Sequence, residues 1–259
     1  MDRFTDKVAI VTGGGSGIGA AVAARLVQEG ARVVLAGRTQ AKLAETAAAL
    51  GDESQVRWCV TDVTVLTDLE ALVDFTIAAF GRLDVLVNNA GYGERMGRIT
   101  DIDPAYWHKV FDTNLHSVYY ASRAALPHLI QSKGAIVNIA SLSGVGGDYG
   151  SNAYNAAKAG VINLTRALAL EHSADGVRVN CVSPGFIVTP MQDNTPEFIR
   201  QAWADVIPLG RTGNAEEMAS VVAFLASSDA SYVTGHNIVA DGGLTSHTGS
   251  PNLFKMLGL

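Results

Sequence analysis

Val8-Ala9-Ile10-Val11-Thr12-Gly13-Gly14-Gly15-Ser16-Gly17-Ile18-Gly19 is the stretch on which the fold turns. Its opening apolar run reads as a strand covered on both faces, as a parallel sheet requires. The glycines that follow allow a tight turn and a close backbone approach to a pyrophosphate. The helix they open supplies N–H donors and positive potential at the same place. Gly13, Gly15, Ser16, Gly17, Ile18 and Gly19 are therefore candidate nucleotide-binding residues. The spacing T-G-x-x-x-G-x-G departs from the general fingerprint G-x-G-x-x-G. Alone, such a run could be an ordinary loop; its weight comes from following the first strand.

Outward from this stretch, apolar runs alternate with helix-period segments. Strands are expected at 7–12, 32–37, 55–60, 83–88, 134–140, 177–183 and 236–240. Helices are expected near 17–29, 40–50, 67–80, 104–131, 152–173, 196–205 and 215–226. That alternation predicts an α/β fold with right-handed crossovers and a doubly wound parallel sheet. Asp103-Pro104 and Thr195-Pro196 read as a cap followed by proline at the first helical position. Thr67-Asp68-Leu69-Glu70 reads as a capping box, and Asn214 precedes the acids Glu216 and Glu217 at the positive end of the next helix. No linker, repeat or low-complexity tract interrupts residues 1–259, which read as one domain.

Composition narrows the function. With 48% hydrophobic and 17% charged residues, a large core can form. The net charge of −6 and the lack of a Lys/Arg run argue against nucleic acid or an anionic membrane as partner. No 18-residue apolar run suggests a membrane span. The first strand leaves no room for a signal peptide, so the expected location is the cytoplasm. Cys59 and Cys181 read as reduced core thiols, and the six histidines show no metal-ligand spacing.

Tyr154 and Lys158 stand four apart in a helical segment and so share one face. A cation about 4 Å away, at an effective dielectric near 20, favours a phenolate by about 4 kcal/mol. That amounts to at most about three pKa units, enough to bring a tyrosine near neutrality. At the end of the second strand, Ala36-Gly37-Arg38-Thr39 offers no carboxylate for a ribose 2′-hydroxyl. Arg38 could instead hold a 2′-phosphate, which favours NADP(H) and leaves NAD(H) open. Asp62, just past the third strand, is placed to accept from an adenine amino group; the alternative is a turn cap.

Taken in order, Thr12 to Gly19, Asp62-Val63, Asn88-Asn89-Ala90-Gly91, Asn114, Ser141, Tyr154-x-x-x-Lys158, Pro184-Gly185 and Thr189 resemble the short-chain dehydrogenase/reductase family, in its shorter branch, over nearly the whole chain. The resemblance implies a Rossmann-like sheet of seven strands and hydride transfer to or from nicotinamide. It implies Tyr154 as general acid/base and Lys158 as the cation that lowers its pKa and holds the nicotinamide ribose. Ser141 would hydrogen-bond the substrate oxygen, and Asn114 would help hold a water chain from Lys158 to solvent. Asn114 in mid-helix is poor for propensity, which fits a local functional reason. Val63 and the segment Asn89, Ala90, Gly91 would line the cofactor. Pro184, Gly185, Ile187 and Thr189 would meet its nicotinamide end.

The substrate end is less defined. Gly144 to Gly150 leads from Ser141 toward Tyr154 and should border the reacting carbon, and the stretch with Met191, Gln192, Phe198 and Trp203 reads as a lid. Gly146-Gly147-Asp148 and Val161 to Arg166 resemble dehydrogenases of small vicinal diols and hydroxyketones. A 3-oxoacyl-carrier-protein reductase is the alternative; the acidic turn Glu171-His172-Ser173-Ala174-Asp175 speaks against an acidic carrier. A non-catalytic nucleotide sensor would more often lack the tyrosine or lysine. The resemblance also implies a homotetramer in which helices 104–131 and 152–173 pair across one interface. The apolar tail, with Leu253, Phe254, Met256 and Leu257, is expected to pack on its own subunit or a neighbour.

Overall fold

The computed structural model describes residues 2–93, 96–189, 195–246, 249–251 and 253–258. Seven strands form one parallel sheet: β1 (Val8–Thr12), β2 (Arg32–Gly37), β3 (Val56–Val60), β4 (Val85–Asn88), β5 (Ala135–Ile139), β6 (Arg178–Pro184) and β7 (Asn237–Ala240). Their order is β3-β2-β1-β4-β5-β6-β7. β1 pairs with both β2 and β4, so the winding reverses there, where doubly wound sheets open a crevice at the carboxyl ends of their strands.

Helices cover both faces. They are α1 (Gly17–Gln28), α2 (Gln40–Leu50), α3 (Leu66–Phe80), α4 (Pro104–Phe111), α5 (Ser117–Ser132), α6 (Leu142–Val145), α7 (Asn152–His172), α8 (Glu197–Val206), α9 (Ala215–Ala226) and α10 (Leu253–Leu257). Side chains alternate along each strand. Ala9, Val11, Val33 and Leu35 therefore pack with Val22 and Leu26 of α1 and Val222 of α9. Ile10, Val34 and Leu86 pack on the other face with Leu69 and Leu72 of α3 and Leu129 of α5. Each buried Val, Leu or Ile contributes about 1.5–3 kcal/mol, and this two-sided burial is why the strands read as unbroken apolar runs.

One polar ladder crosses that interior. Asn88 Nδ2 donates to Asn138 Oδ1 at 2.8 Å, and Asn138 Nδ2 donates to Thr165 Oγ1 at 2.9 Å. All three residues are buried. The ladder ties β4 and β5 to α7 and fixes how far along the sheet that helix sits.

Several expectations are corrected. The segment 104–131 is not one α-helix: α4 and α5 are joined by a π-turn at Asp112–His116. The Thr67 capping box does not form, because α3 begins at Leu66 with Val65 at the cap and no side-chain cap bond. Asp68 instead accepts from the Asp62 N–H at 3.0 Å. Pro196 is the cap of α8 rather than its first residue. Asp103 does cap α4, accepting from the Ala105 N–H at 2.7 Å, and Asn214 and Glu217 form a reciprocal capping box on α9.

In the tail, Leu253, Phe254, Met256 and Leu257 are 60–72% exposed, so they do not pack on their own subunit. Of the expected lid, Met191 and Gln192 lie outside the described residues. Phe198 is exposed on α8, and Trp203 stacks on Phe186 with ring centroids 5.2 Å apart. Among the described residues, no helix is long and apolar enough to cross a membrane.

Candidate active site

The loops that follow β1 to β6 all leave the carboxyl edge of the sheet, and the predicted site residues lie on them, on the helical segments they enter or, for Pro184, at the strand end itself. After β1, Gly13 and Gly17 adopt φ of 66° and 55°, where a side chain would be strained. A Cβ at Gly19 would lie 2.3 Å from the Gly13 carbonyl oxygen, so the loop folds back onto the helix start only because both residues are glycine. Ser16 caps α1 without a side-chain hydrogen bond, and the first turn holds no acid. The positive end of α1 is thus free of its own side chains and suits a phosphate.

Thr12, outside the predicted set, clamps the loop after β1 to the loop after β4. Its Oγ1 accepts from the N–H groups of Asn89 and Ala90, each at 3.0 Å, and Asn89 Nδ2 donates to the Thr12 carbonyl at 2.9 Å. At the ribose end, Arg38 is exposed, and Lys42 packs its Cβ beside Gly15. Lys42 is therefore a second cation at this end, missed in the sequence although it lies one helical turn beyond Arg38. Asp62 Oδ1 accepts from Thr64 N–H at 2.9 Å and Thr64 Oγ1 at 2.7 Å. These bonds first, and the nearby Arg38 guanidinium after them, hold its carboxyl below the usual range. The turn-cap alternative is thus realised at Oδ1. Val63 is buried beside it.

The second half of the site gathers around Lys158, which is buried on α7. Its Nζ donates to the Ile139 carbonyl, at the end of β5, at 2.7 Å. It lies 5.6 Å from the centre of the half-buried Tyr154 ring, so the two share a face as the i, i+4 spacing requires. A Cβ at Gly91 would come within 3.2 Å of Asn114 Oδ1 and 3.9 Å of Lys158 Nζ. The loop after β4 therefore passes close to both residues, and a side chain at Gly91 would crowd Asn114. Asn114 is fully buried in the π-turn. Its Nδ2 donates to the Val110 carbonyl at 2.9 Å, and its Oδ1 accepts from the Tyr92 N–H at 3.2 Å.

Ser141 caps α6 just past β5. Its Oγ donates to Ser143 Oγ at 3.1 Å, and Ser143 Oγ donates to the Asp148 carboxylate. Neither Ser143 nor the side-chain tie to Asp148 was read from the sequence, because the contact depends on the short turn of α6. On the far side, Pro184 ends β6 and Gly185 approaches Asp241 so closely that a Cβ there would lie 2.7 Å from Asp241 Cα. Ile187 is buried and Thr189 half-buried. A cavity of about 340 Å³ opens between Gly185, Phe186 and Ile187 and the end of β7. A second, of about 480 Å³, lies at the opposite edge of the sheet. Of its cations, Arg3 is held by Glu29 and Asp229, Lys7 by Asp84, and Arg178 by the carbonyls of residues 225–227; Lys133 also lines it.

The chain is similar over most of its length to enzymes of known reaction. A family model described as Enoyl-(Acyl carrier protein) reductase matches residues 13–245. The meso-2,3-butanediol dehydrogenase of Serratia marcescens is 42% identical over 251 residues, covering 97% of this chain and 99% of that protein. The 7alpha-hydroxysteroid dehydrogenase of Bacteroides fragilis is 40% identical over 259 residues, covering 98% and 100%. A 3-oxoacyl-[acyl-carrier-protein] reductase of Thermotoga maritima is 40% identical over 244 residues, covering 93% and 99%.

Burial pushes the Lys158 ammonium down from 10.5 to about 8, an effect that nearby Cys181 opposes; the Cys181 thiol is pushed up to about 11, again chiefly by burial. Between pH 8 and 10.5 the unfolded chain holds a proton at Lys158 that the folded chain has released, so stability rises with pH across that window. Below pH 8 the full cost of burying the charge is present. Lys158→Met fills similar space without a charge. Its stability relative to the native sequence is therefore expected to be highest at pH 7 and to fall by roughly 3 kcal/mol toward pH 10.5. Urea unfolding at both ends of that range measures this, and an unchanged difference would contradict a buried ammonium.

Proposed function

The chain belongs to the short-chain dehydrogenase/reductase family, and from that membership we propose that it moves a hydride between NADP(H), in preference to NAD(H), and the carbonyl or secondary alcohol of a small ketone, hydroxyketone or vicinal diol. The coarser part of this reading, a nicotinamide-dependent oxidoreductase of CH–OH and C=O groups, follows from the family itself. The observation that supports the catalytic assignment is the gathering of Tyr154, Lys158, Asn114 and Ser141 at the carboxyl edge of the sheet.

Tyr154 is the general acid/base, giving a proton to the alkoxide in reduction and taking the hydroxyl proton in oxidation. Lys158, at about 8, stays mostly protonated at neutral pH, and its charge favours the phenolate. Ser141 hydrogen-bonds the reacting oxygen as charge grows there, once its single proton turns from Ser143 Oγ to that oxygen. Asn114, facing Lys158 across Gly91, supports the proton path from Lys158 to solvent. When bound, the nicotinamide supplies or takes the hydride. The glycine loop with Ser16 and Ile18 would hold its diphosphate. Arg38, Asp62, Val63, Asn89, Ala90 and Gly91 would line the adenosine half and the middle, and Pro184, Gly185, Ile187 and Thr189 the nicotinamide end.

The cofactor preference rests on Gly37. A Cβ there would meet only Leu43 Cδ2, at 3.5 Å, so a side-chain carbon would fit. The lack of a carboxylate is thus a chemical choice, and Arg38 with Lys42 offers two cations in its place. Small diols are favoured by the butanediol dehydrogenase relative. The carrier-protein reductase is the second reading, favoured by the Thermotoga relative. The acidic turn at 171–175 has no bearing on it, because that turn precedes β6 and lies at the opposite edge from the site. A nucleotide sensor is disfavoured by the complete set of four residues.

A cytoplasmic homotetramer is part of the same proposal, supported by exposed Tyr119 on α5, Leu170 on α7 and the apolar tail. Light scattering should then return about four chains, and a mass near 27.1 kDa would refute it.

Steady-state assays with NADPH and NADH on diketones, hydroxyketones, sugars, steroids and a 3-oxoacyl thioester should find the fastest turnover among the small ketones. Tyr154→Phe should keep cofactor binding and lose turnover by about 10²-fold or more. A strong preference for the thioester, or an active Tyr154→Phe, would overturn the reading. Arg38→Ala should weaken NADPH by about tenfold or more while NADH changes little. Equal losses for the two would remove Arg38 from the 2′-phosphate.

A further inference from the structure

The loop between Ser141 and Tyr154 carries one carboxylate, and three contacts set its place. Asn155 Nδ2 donates to the Asp148 carbonyl at 3.0 Å, which holds the main chain. Ser143 Oγ donates to Asp148 Oδ2, which holds the side chain. Ser141 Oγ in turn donates to Ser143 Oγ at 3.1 Å. All the protons in this chain point toward Asp148. Its carboxylate therefore lies within two hydrogen-bond lengths, roughly 6 Å, of the serine oxygen assigned to the reacting carbonyl. Among the described residues, the other oxygen, Oδ1, accepts no hydrogen bond.

The arrangement is kept at a cost. Among the described residues, Asn155 Oδ1 is buried with no hydrogen-bond partner. An orphaned buried acceptor costs about 5- to 150-fold in the folding equilibrium. The Asn155 amide spends its donor on fixing Asp148 and leaves its acceptor empty. Sites that break the rule of satisfied buried polar atoms tend to be functional.

We infer that Asp148 is a specificity-determining residue whose free carboxylate oxygen accepts a hydrogen bond from a second hydroxyl on the substrate, next to the carbon that Ser141 and Tyr154 address. The inference rests on the dehydrogenase reading and adds the group it recognises. A hydroxyketone or diol can satisfy Ser141 and Asp148 together. A plain ketone leaves the carboxylate without its donor, and an anionic group beside it is repelled. A hydrogen bond to a charged acceptor is worth about 10- to 150-fold in binding.

The test compares acetoin with 2-butanone, which differ by one hydroxyl, using NADPH and the full chain. The native protein should favour acetoin in kcat/KM by about tenfold or more, largely through KM. In Asp148→Ala that ratio should fall toward one, the loss on acetoin exceeding the loss on 2-butanone. Asp148→Asn keeps the shape and a neutral acceptor, so it should retain part of the preference and reports even if the alanine variant fails to fold. Equal losses on both ketones would mean that Asp148 only steadies Ser141, and would overturn the inference. A native ratio near one would overturn it too, leaving the dehydrogenase reading intact. No turnover of either ketone, with the cofactor bound, would sink both.

Discussion

A buried ammonium is the constraint around which the molecule is arranged. Lys158 has left water, and its Nζ donates to one carbonyl, Ile139 at the exit of β5. Taking a charge into the interior is costly unless its hydrogen bonds are made and its surroundings fixed. α7 must therefore lie at one height along the sheet, and the Asn88–Asn138–Thr165 ladder, which meets α7 two turns past Lys158, enforces it. The loop after β4 must pass without a side chain, which Gly91 provides. An apolar side chain in place of the lysine would suit the core better.

Asn114 extends the same argument to the opposite helix. An α-helix would pair the Val110 carbonyl with the N–H of Asn114, but the π-turn breaks that register and the Asn114 side chain donates to this carbonyl instead. Its other atoms hold Tyr92. Residues 89–92 are thus pinned at one end by Thr12 and at the other by Asn114. The phosphate loop and the lysine-bearing face are in this way held in one frame by side-chain hydrogen bonds, with glycines wherever backbones must cross.

Much of this was legible in the residues because the physics is local. The β1 run Val8 to Thr12 is covered on both faces, so its apolar length marks the strand almost to the residue. Tyr154 and Lys158 share a face because any helix puts i and i+4 together. What could not be read depends on distant parts of the chain. The π-turn at Asp112–His116 has no period of its own; only the loop 91–92 packed against it explains it. Thr67 looked like a cap, but Asp68 is engaged with the Asp62 N–H, and that draws the helix start back to Leu66. Thr12, Lys42 and Ser143 are short polar signals whose partners come from other strands or turns. The tail announced its apolar character correctly, yet residues 60–72% exposed show that burial must come from outside this chain or not at all.

The acidic turn at 171–175 shows why direction along a strand matters as much as charge. Residues before β6 lie at the sheet's amino edge, and seven residues at about 3.3 Å each put roughly 20 Å between them and the site. Screening at physiological salt acts within about 8 Å, so charges there cannot select a substrate at the other edge. Selection must come from loops that leave the carboxyl ends. On those loops, the cations Arg38 and Lys42 follow β2, and Asp62 is turned into its bonds with Thr64. Asp148 lies on the segment after β5, with one oxygen committed to Ser143 and, among the described residues, the other without a hydrogen bond.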